Sequence, residues 1–519
     1  MQADEPEPRE ECGVFGVWAP GEDVAKLSFY GLYALQHRGQ EAAGISVADG
    51  KQIVVFKDLG LVSQVFDEQV LSSLRGHLAV GHCRYSTTGG TIWENAQPIF
   101  RATRSGAGLS LAHNGNLVNT AELRDRTVAA GLRPHAGLTG SSSDSDLVCG
   151  LLAEAAGDPD STVERAALEL LPTLRGAFCL VFSDENTLYA ARDPQGVHPL
   201  VLGRLERGWV VASETAALDI VGASFVREVE PGELLAIDSD GLRSNHFAAA
   251  EPKGCVFEYV YLARPDTSIA GSGVHASRVR IGRTLAEEAP AQADLVIPVP
   301  ESGTPAAIGF AQGSGIDYGS GLVKNAYVGR TFIQPSQTIR QLGIRLKLNP
   351  LRDVIRGKRL VVVDDSIVRG NTQRALLRML REAGAVEVHV RIASPPVRWP
   401  CFYGIDFASR AELIANGLDI DGIRRSIGAD SLAYVSLEGL VSATEQPSNR
   451  LCAACFDGHY PIPLPEDALI GKDLLESLER AGERELAQPV DSSFAGSAQE
   501  TLSAPLATGY GAEDALRRP

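Results

Sequence analysis

The sequence predicts two domains, of α/β and α+β class: first stacked antiparallel sheets covered by helices, then a domain built on a parallel sheet. Three observations lead there. The chain has 519 residues, more than one hydrophobic core serves. From residue 177 to 237 short apolar runs alternate with turn residues such as Asp193-Pro194 and Pro231-Gly232, as antiparallel strands do. At 360–363 the run Leu-Val-Val-Val is apolar on both faces, which suits a strand inside a parallel sheet.

Composition narrows the class. Hydrophobic residues make up 44% and charged residues 22% of the chain, the balance of a soluble globular protein. No apolar run reaches the roughly 18 residues needed to cross a bilayer, so no membrane partner is expected. Residues 1–11, Met-Gln-Ala-Asp-Glu-Pro-Glu-Pro-Arg-Glu-Glu, are acidic and lack the apolar segment of a secretory signal. They are expected to be a detachable leader. A formal charge of −17 argues against nucleic acid as a partner. Eight scattered cysteines do not form a secreted disulfide framework. The expected location is the cytoplasm.

After the leader, Cys12 heads the apolar stretch Cys-Gly-Val-Phe-Gly-Val, a strand start. A lone cysteine is ordinarily a buried packing residue. Four polar turns follow in order: Leu-Gln-His-Arg-Gly-Gln-Glu-Ala-Ala-Gly at 35–44, Gly-His-Cys-Arg-Tyr-Ser-Thr-Thr at 81–88, Ala-His-Asn-Gly-Asn-Leu at 112–117 and Ser-Ser-Asp-Ser-Asp at 142–146. Together they resemble the glutamine amidotransferase domain of the N-terminal-nucleophile class. The chemistry explains the residue types. A thiolate attacks the glutamine side-chain amide, and the thiol needs a base. Once the leader is removed, the α-amino group of Cys12, with a reference pKa of about 7.7–8.0, takes that proton. The resemblance implies that the Asn114 side chain and the Gly115 backbone hold the oxyanion. It also implies that Arg84 holds the substrate α-carboxylate and Asp144 its α-ammonium group. Arg38 lies in the same motif set without a defined role. His37, His82 and His113 are read as structural, since the α-amino group already serves as base. Cys83, Cys149 and Cys179, with apolar neighbours, are read as packing residues. The resemblance implies an αββα sandwich for this domain, which is expected to span 12–250.

The second domain, expected at 251–480, is organised around 360–372, Leu-Val-Val-Val-Asp-Asp-Ser-Ile-Val-Arg-Gly-Asn-Thr. A buried strand, two acids, a hydroxyl- and glycine-rich loop and a helix from about 373 to 382 form a phosphate site at the carboxyl end of a strand. Adjacent carboxylates suit sugar hydroxyls or the water shell of Mg²⁺. The stretch resembles the phosphoribosyl diphosphate (PRPP) loop of type I phosphoribosyltransferases. In that likeness Asp364 and Asp365 face the ribose hydroxyls and Mg²⁺. Ser366, Arg369, Gly370, Asn371 and Thr372 belong to the loop around the 5′-phosphate, with Asn371 standing where relatives often carry Thr. Residues 295–307, Leu-Val-Ile-Pro-Val-Pro-Glu-Ser-Gly-Thr-Pro-Ala-Ala, match the diphosphate loop, with Ser302 as a further Mg²⁺ contact. The segment 318–352 holds six Lys or Arg and no Asp or Glu. It suggests an anion-facing stretch, which the resemblance makes a loop that closes over PRPP. Further on, 386–392 alternates as a strand and 411–444 carries helical patterning. The Ala-, Glu-, Ser- and Gly-rich segment 481–519 is expected to be a disordered tail.

Phe-Glu-Tyr-Val-Tyr-Leu-Ala-Arg-Pro-Asp at 257–266 narrows the resemblance to the amidophosphoribosyltransferase family, over roughly 12–463. It implies glutamine and PRPP as substrates, 5-phosphoribosylamine as product, a homotetramer and feedback inhibition by purine nucleotides. Cys452-Ala-Ala-Cys455 is a CxxC pair that is redox-active or metal-binding. One branch of the family carries cysteines in the contexts of Cys255 and Cys401 as well, followed by C-x-x-C. Four thiolates suit Zn²⁺ or an iron–sulfur cluster equally; the resemblance favours a structural [4Fe–4S] cluster on Cys255, Cys401, Cys452 and Cys455. Two rival readings fit the residues less well. Another glutamine amidotransferase synthase would lack the Asp364–Asp365 loop, and a PRPP-sensing DNA-binding regulator would not need Cys12 and its partners.

Overall fold

The structure, a computed structural model, describes residues 11–85, 91–132, 141–158, 160–325, 347–405 and 410–465. The first ten leader residues, the centre of the basic segment (326–346) and the expected tail at 481–519 lie outside the described residues.

The N-terminal half is built on two antiparallel sheets. Gly13–Trp18 lies inside the first, between Gly208–Ala212 and Leu78–Arg84. Val201–Leu205 and Ser224–Glu228 extend that sheet on one side, and Ala42–Ala48 and Ile53–Leu59 on the other. The second runs Gly241–His246, Glu233–Asp238, Leu188–Arg192, Gly176–Ser183, Gly108–Leu117 and Ile99–Ala102. Val14, Val80 and Val211 of the first pack against Ala112, Val181 and Leu188 of the second. Gly16 allows this approach: a Cβ there would stand 2.6 Å from Val181 Cγ1. The outer face of the first sheet is covered by helices Val24–Ala34 and Thr215–Ile220. Helices Thr120–Ala129, Asp144–Ala155 and Val163–Leu170 cover the second. Helices outside two stacked sheets are the expected αββα layering. The strands foreseen between 177 and 237 are present, but the chain deals them to both sheets.

The C-terminal half carries a parallel sheet ordered Leu295–Pro298, Arg359–Asp364, Glu387–Ile392 and Ser431–Tyr434. Helices Val274–Glu288 and Thr304–Ser314 cover one face, with Val361 and Val363 beneath them. Asn371–Glu382 and Ile420–Ile427 cover the other, over Leu360 and Val362. Coverage on both faces is why the central strand is apolar at every position. The helix after it begins at Asn371, two residues before the expected start, because Gly370 at φ 79° makes the bend. The helical patterning over 411–444 is corrected in part. Gly428, left-handed at φ 80°, ends one helix, and Ser431–Tyr434 adds an edge strand before Leu437–Thr444 resumes as helix. Glu258–Leu262 forms a π-helix. In the basic segment, Leu322–Lys324 pairs with Leu348–Pro350 as a short ribbon.

Candidate functional site

Cys12 lies immediately before Gly13–Trp18, whose first residue pairs with Cys83. Its thiol is almost fully buried; it donates to the Tyr85 carbonyl at 3.2 Å and accepts from the Tyr85 N–H at 3.4 Å. Burial pushes its pKa up to about 12, so it is a neutral thiol near pH 7 and needs a base before it can attack. Arg84 ends the paired strand; burial lowers its pKa, against the pull of Cys12, Glu41 and Asp144. These four groups therefore lie within electrostatic reach of one another. Asp144 opens its helix. Burial alone would raise its pKa, but His113 and the N–H groups of Leu117 and Ser145 outweigh that and hold it low. Asn114 is wholly buried, and neither Oδ1 nor Nδ2 has a hydrogen-bond partner. Buried amides are nearly always paired, so this is an amide held ready for another group. Gly115 beside it sits at φ 137°, where a Cβ would meet the Ala177 carbonyl oxygen at 2.1 Å.

The histidines have other partners. His37 Nε2 is 2.6 Å from Glu214. His82 Nε2 is 3.1 Å from the His113 carbonyl, and His113 Nδ1 is 3.3 Å from Ser145 Oγ. None of these contacts involves Cys12. Cys83, Cys149 and Cys179 are all buried.

In the second half, Asp364 ends its strand and Asp365 follows, both buried. Asp364 accepts from the Asp365 N–H at 3.0 Å and from the side-chain amide of Gln373, while Ser366 Oγ donates to Asp365 at 2.6 Å. Arg278, buried, feels the Asp365 charge, but burial dominates and brings its pKa down to about 10. Arg374 donates to the Asn371 side chain at 2.6 Å and Arg369 to Glu412 at 3.0 Å. The loop bearing Ser302 is pressed onto the acidic pair: a Cβ on Gly303 would meet the Val363 oxygen at 2.5 Å and Asp364 Cα at 3.1 Å. Lys324 Nζ, from the basic ribbon, lies 3.5 Å from Glu301 on that same loop.

The four cysteines come together. Cys255 and Cys452 are register partners in a parallel two-stranded pairing. With Cys401 and Cys455 they line one pocket, closed by Val197 and His198 from the first half and by Tyr403 and Tyr460. Burial pushes all four thiols up, a state that neutral thiols relieve only by staying protonated and that a bound metal relieves by taking the thiolate. Among the described residues, the ligand atoms of Glu11, His198 and Glu258 lie within 4.8 Å of one another.

Arg38 lies 3.6 Å from the carboxylate of Glu11, the residue before Cys12. It is buried in a charge network between the halves, bonded through Nε to Glu214 and through both terminal nitrogens to Glu258 at 3.1 and 2.7 Å. Glu214 also accepts from the Arg264 N–H at 2.9 Å and from Thr267 at 2.6 Å. Burial would raise the Glu214 pKa, but Arg38 and His37 hold it well below the usual range. The sequence reading gave no site role to Glu11, His198, Glu214 or Glu258. Each stands in a different stretch, and only the fold assembles them.

The comparisons agree with this architecture. Residues 82–219 match the glutamine amidotransferase domain family. The amidophosphoribosyltransferase of Mycobacterium tuberculosis (strain H37Rv) is 72% identical over 476 residues, covering 91% of this chain and 90% of that one. The Bacillus subtilis amidophosphoribosyltransferase is 44% identical over 466 residues, 89% of this chain and 96% of the relative. Among solved structures, an allosteric regulatory enzyme of purine biosynthesis matches with a TM-score of 0.82 at 44% identity, over 89% of this chain and 98% of that one. The B. subtilis glutamine PRPP amidotransferase complexed with ADP and GMP also matches at 0.82 and 44%, over 89% of this chain and 100% of its own. Fold and likeness define a glutamine amidotransferase of α/β and α+β class joined to a phosphoribosyltransferase. The chain belongs to the amidophosphoribosyltransferase family. It is an enzyme that uses glutamine to convert PRPP to 5-phosphoribosylamine, with glutamate and diphosphate as the other products, at the first committed step of purine nucleotide synthesis.

Proposed function

We propose that residues 12–250 hydrolyse glutamine and that 251–480 pass the resulting ammonia to PRPP, after removal of residues 1–11. Cys12 attacks the side-chain amide, with its freed α-amino group taking the proton. Asn114 and the Gly115 N–H receive the oxyanion. Arg84 and Asp144 hold the two ends of the amino acid. The observation that supports this most is Asn114, a buried amide whose polar atoms have no hydrogen-bond partner among the described residues.

In the second half, Asp364, Asp365 and Ser302 offer the oxygen donors that a hard cation prefers, and these residues would hold Mg²⁺. The ion supplies charge neutralisation for the leaving diphosphate. Ser366, Arg369, Gly370, Asn371 and Thr372 surround the 5′-phosphate, and positioning carries the rest of the rate. The cysteine pocket would hold a [4Fe–4S] cluster on Cys255, Cys401, Cys452 and Cys455. Four thiolates suit zinc or iron–sulfur alike; the likeness to the family branch that carries these four cysteines favours the cluster, each of whose irons takes one thiolate. Assembly as a homotetramer, inhibition by purine nucleotides and a cytoplasmic location complete the proposal. The ADP and GMP bound by the B. subtilis relative support the nucleotides. Among the described residues no helix is long and apolar enough to cross a membrane.

Two variants test the division. Cys12→Ala is expected to abolish glutamine-dependent synthesis while synthesis from added ammonium persists. Asp364→Asn with Asp365→Asn is expected to remove PRPP turnover and leave glutamine hydrolysis measurable. Loss of both activities in either variant would overturn the two-site reading.

A further inference from the structure

Glu11, the residue before the proposed nucleophile, is only 1% exposed although it belongs to the expected leader. Its Oε2 lies 2.8 Å from His198 Nδ1 and 3.6 Å from the Arg38 guanidinium. Among the described residues neither of its oxygens has an aligned hydrogen-bond partner, so these are charge contacts. The imidazole is set from its far side. Nε2 stands 2.7 Å from the Tyr403 carbonyl, which can only accept, so Nε2 carries a hydrogen. The close contact between Nδ1 and the carboxylate is then an ion pair that needs a proton on one of the two groups, without an aligned hydrogen bond between them. Arg38 is aimed at the same place by Glu214 and Glu258. Two of these orienting groups, Glu258 and Tyr403, belong to the C-terminal half. A buried carboxylate is costly unless paired, and a discarded segment gains nothing lasting from supplying one.

We propose that His198 and Arg38 form a carboxylate-recognition pocket for the residue preceding Cys12, and that this pocket positions the Glu11–Cys12 peptide bond for hydrolysis. The inference rests on the reading that the leader is removed. One water is consumed, the C–N bond breaks, Glu11 leaves with a new α-carboxyl group, and Cys12 keeps its nitrogen as the free amine. His198 and Arg38 are positioning residues that act through the Glu11 side chain. Glutamine would fill the same space without the charge, and aspartate would keep the charge one methylene short. The Glu11, His198 and Glu258 ligand atoms lie within 4.8 Å of one another, but Arg38 already supplies the cation that a metal would provide. Because Glu258 and Tyr403 build the pocket, it forms only when the second half has folded against the first.

The test uses the full chain with Glu11→Asp, Glu11→Gln and Glu11→Ala, following by intact mass the fraction that begins at Cys12. Aspartate is expected to be processed slowly. Gln and Ala are expected to be slower than wild type by about tenfold or more, because removing one partner of a buried charge pair costs at least that much. A merely space-filling side chain would let Gln process like Glu, so equal processing of the variants would overturn the proposal. Processed molecules from every variant are identical, so their glutamine-dependent turnover per processed chain should be equal. Ammonium-dependent turnover reports folding of the unprocessed chains. If Glu11→Gln fails that assay too, Glu11 serves folding rather than processing, and the proposal fails. A wild-type chain that keeps its leader while using glutamine would instead sink the processing reading on which the proposal rests.

Discussion

Asn114 and His82 sit on neighbouring buried strands, and each predicts a different measurement. Asn114 keeps an unbonded amide in a dry site, the situation in which a donor to a developing oxyanion is most effective. Asn114→Ala should lower the glutamine-dependent kcat by about 10²–10³ with a much smaller change in KM, and leave ammonium-dependent synthesis intact. Steady-state kinetics with each nitrogen source checks this; an unchanged kcat would remove Asn114 from the oxyanion role. His82 is buried away from the contacts of the Cys12 thiol. Its Nε2 meets the His113 carbonyl, and its Nδ1 has no partner. Burial pushes its pKa down to about 3. The unfolded chain binds that proton near pH 6.5 while the folded chain refuses it, so the stability is fully present above pH 6.5 and is lost as pH falls toward 3. At pH 5.5, one unit into that window, the loss is about 1.4 kcal/mol. His82→Gln should therefore lose that much less stability than wild type between pH 7.5 and 5.5, measured by urea unfolding. Cys12, Arg84, Asn114 and Asp144 were legible because each lies in a short contiguous motif. Glu11, His198 and Glu258 were not, since the chemistry of a charge network depends on which distant residues are buried together.

At the scale of the element, legibility followed how much of the environment is local. The Leu360–Val363 run names a strand covered on both faces, because no other buried element needs four consecutive apolar residues ending in acids. The Ser431–Tyr434 strand was missed because its pairing with Glu387–Ile392, not its composition, makes it a strand. The π-helix at Glu258–Leu262 follows from a register that places Glu258 against Arg38, which no periodicity announces. The contact between the diphosphate loop and the acidic strand is likewise tertiary, and it predicts a separable defect. Gly303 rests on the Val363 backbone with no room for a Cβ, and backbone cannot swing aside as a flexible side chain can. Gly303→Ala must lift the loop from Asp364. The KM for PRPP should rise at least about tenfold, equivalent to about 1.4 kcal/mol, with glutamine hydrolysis measured alone unaffected. An unaltered KM would mean that this loop does not meet the diphosphate.

For the whole molecule, the cysteine pocket is where separate stretches of chain converge. Gly254–Cys255 begins the second half and Leu451–Cys452 lies near the end of the described residues, yet they pair side by side. Val197 and His198 bring the first half to the same place, and the Val197 carbonyl accepts the Cys255 N–H at 2.8 Å. The thiols stand where burial suppresses the thiolate, so without a metal the pocket is four protonated sulfurs with modest packing value. With a cluster, each thiolate is stabilised by iron, and binding energy becomes folding energy because the four ligands meet only in the folded chain. Protein purified without oxygen should be brown and hold about four iron and four sulfide per chain. Exposure to oxygen should bleach it, with the unfolding temperature falling in step. Because the pocket is shared by both halves, glutamine-dependent and ammonium-dependent activities should disappear together, unlike the separate losses expected from Cys12→Ala and from the double Asp variant. Cys401→Ser, at the least buried of the four, should give the same paired loss without any oxidant. Colourless protein that keeps both activities and carries stoichiometric zinc, or no metal beyond Mg²⁺, would overturn the cluster while leaving the two catalytic sites as proposed.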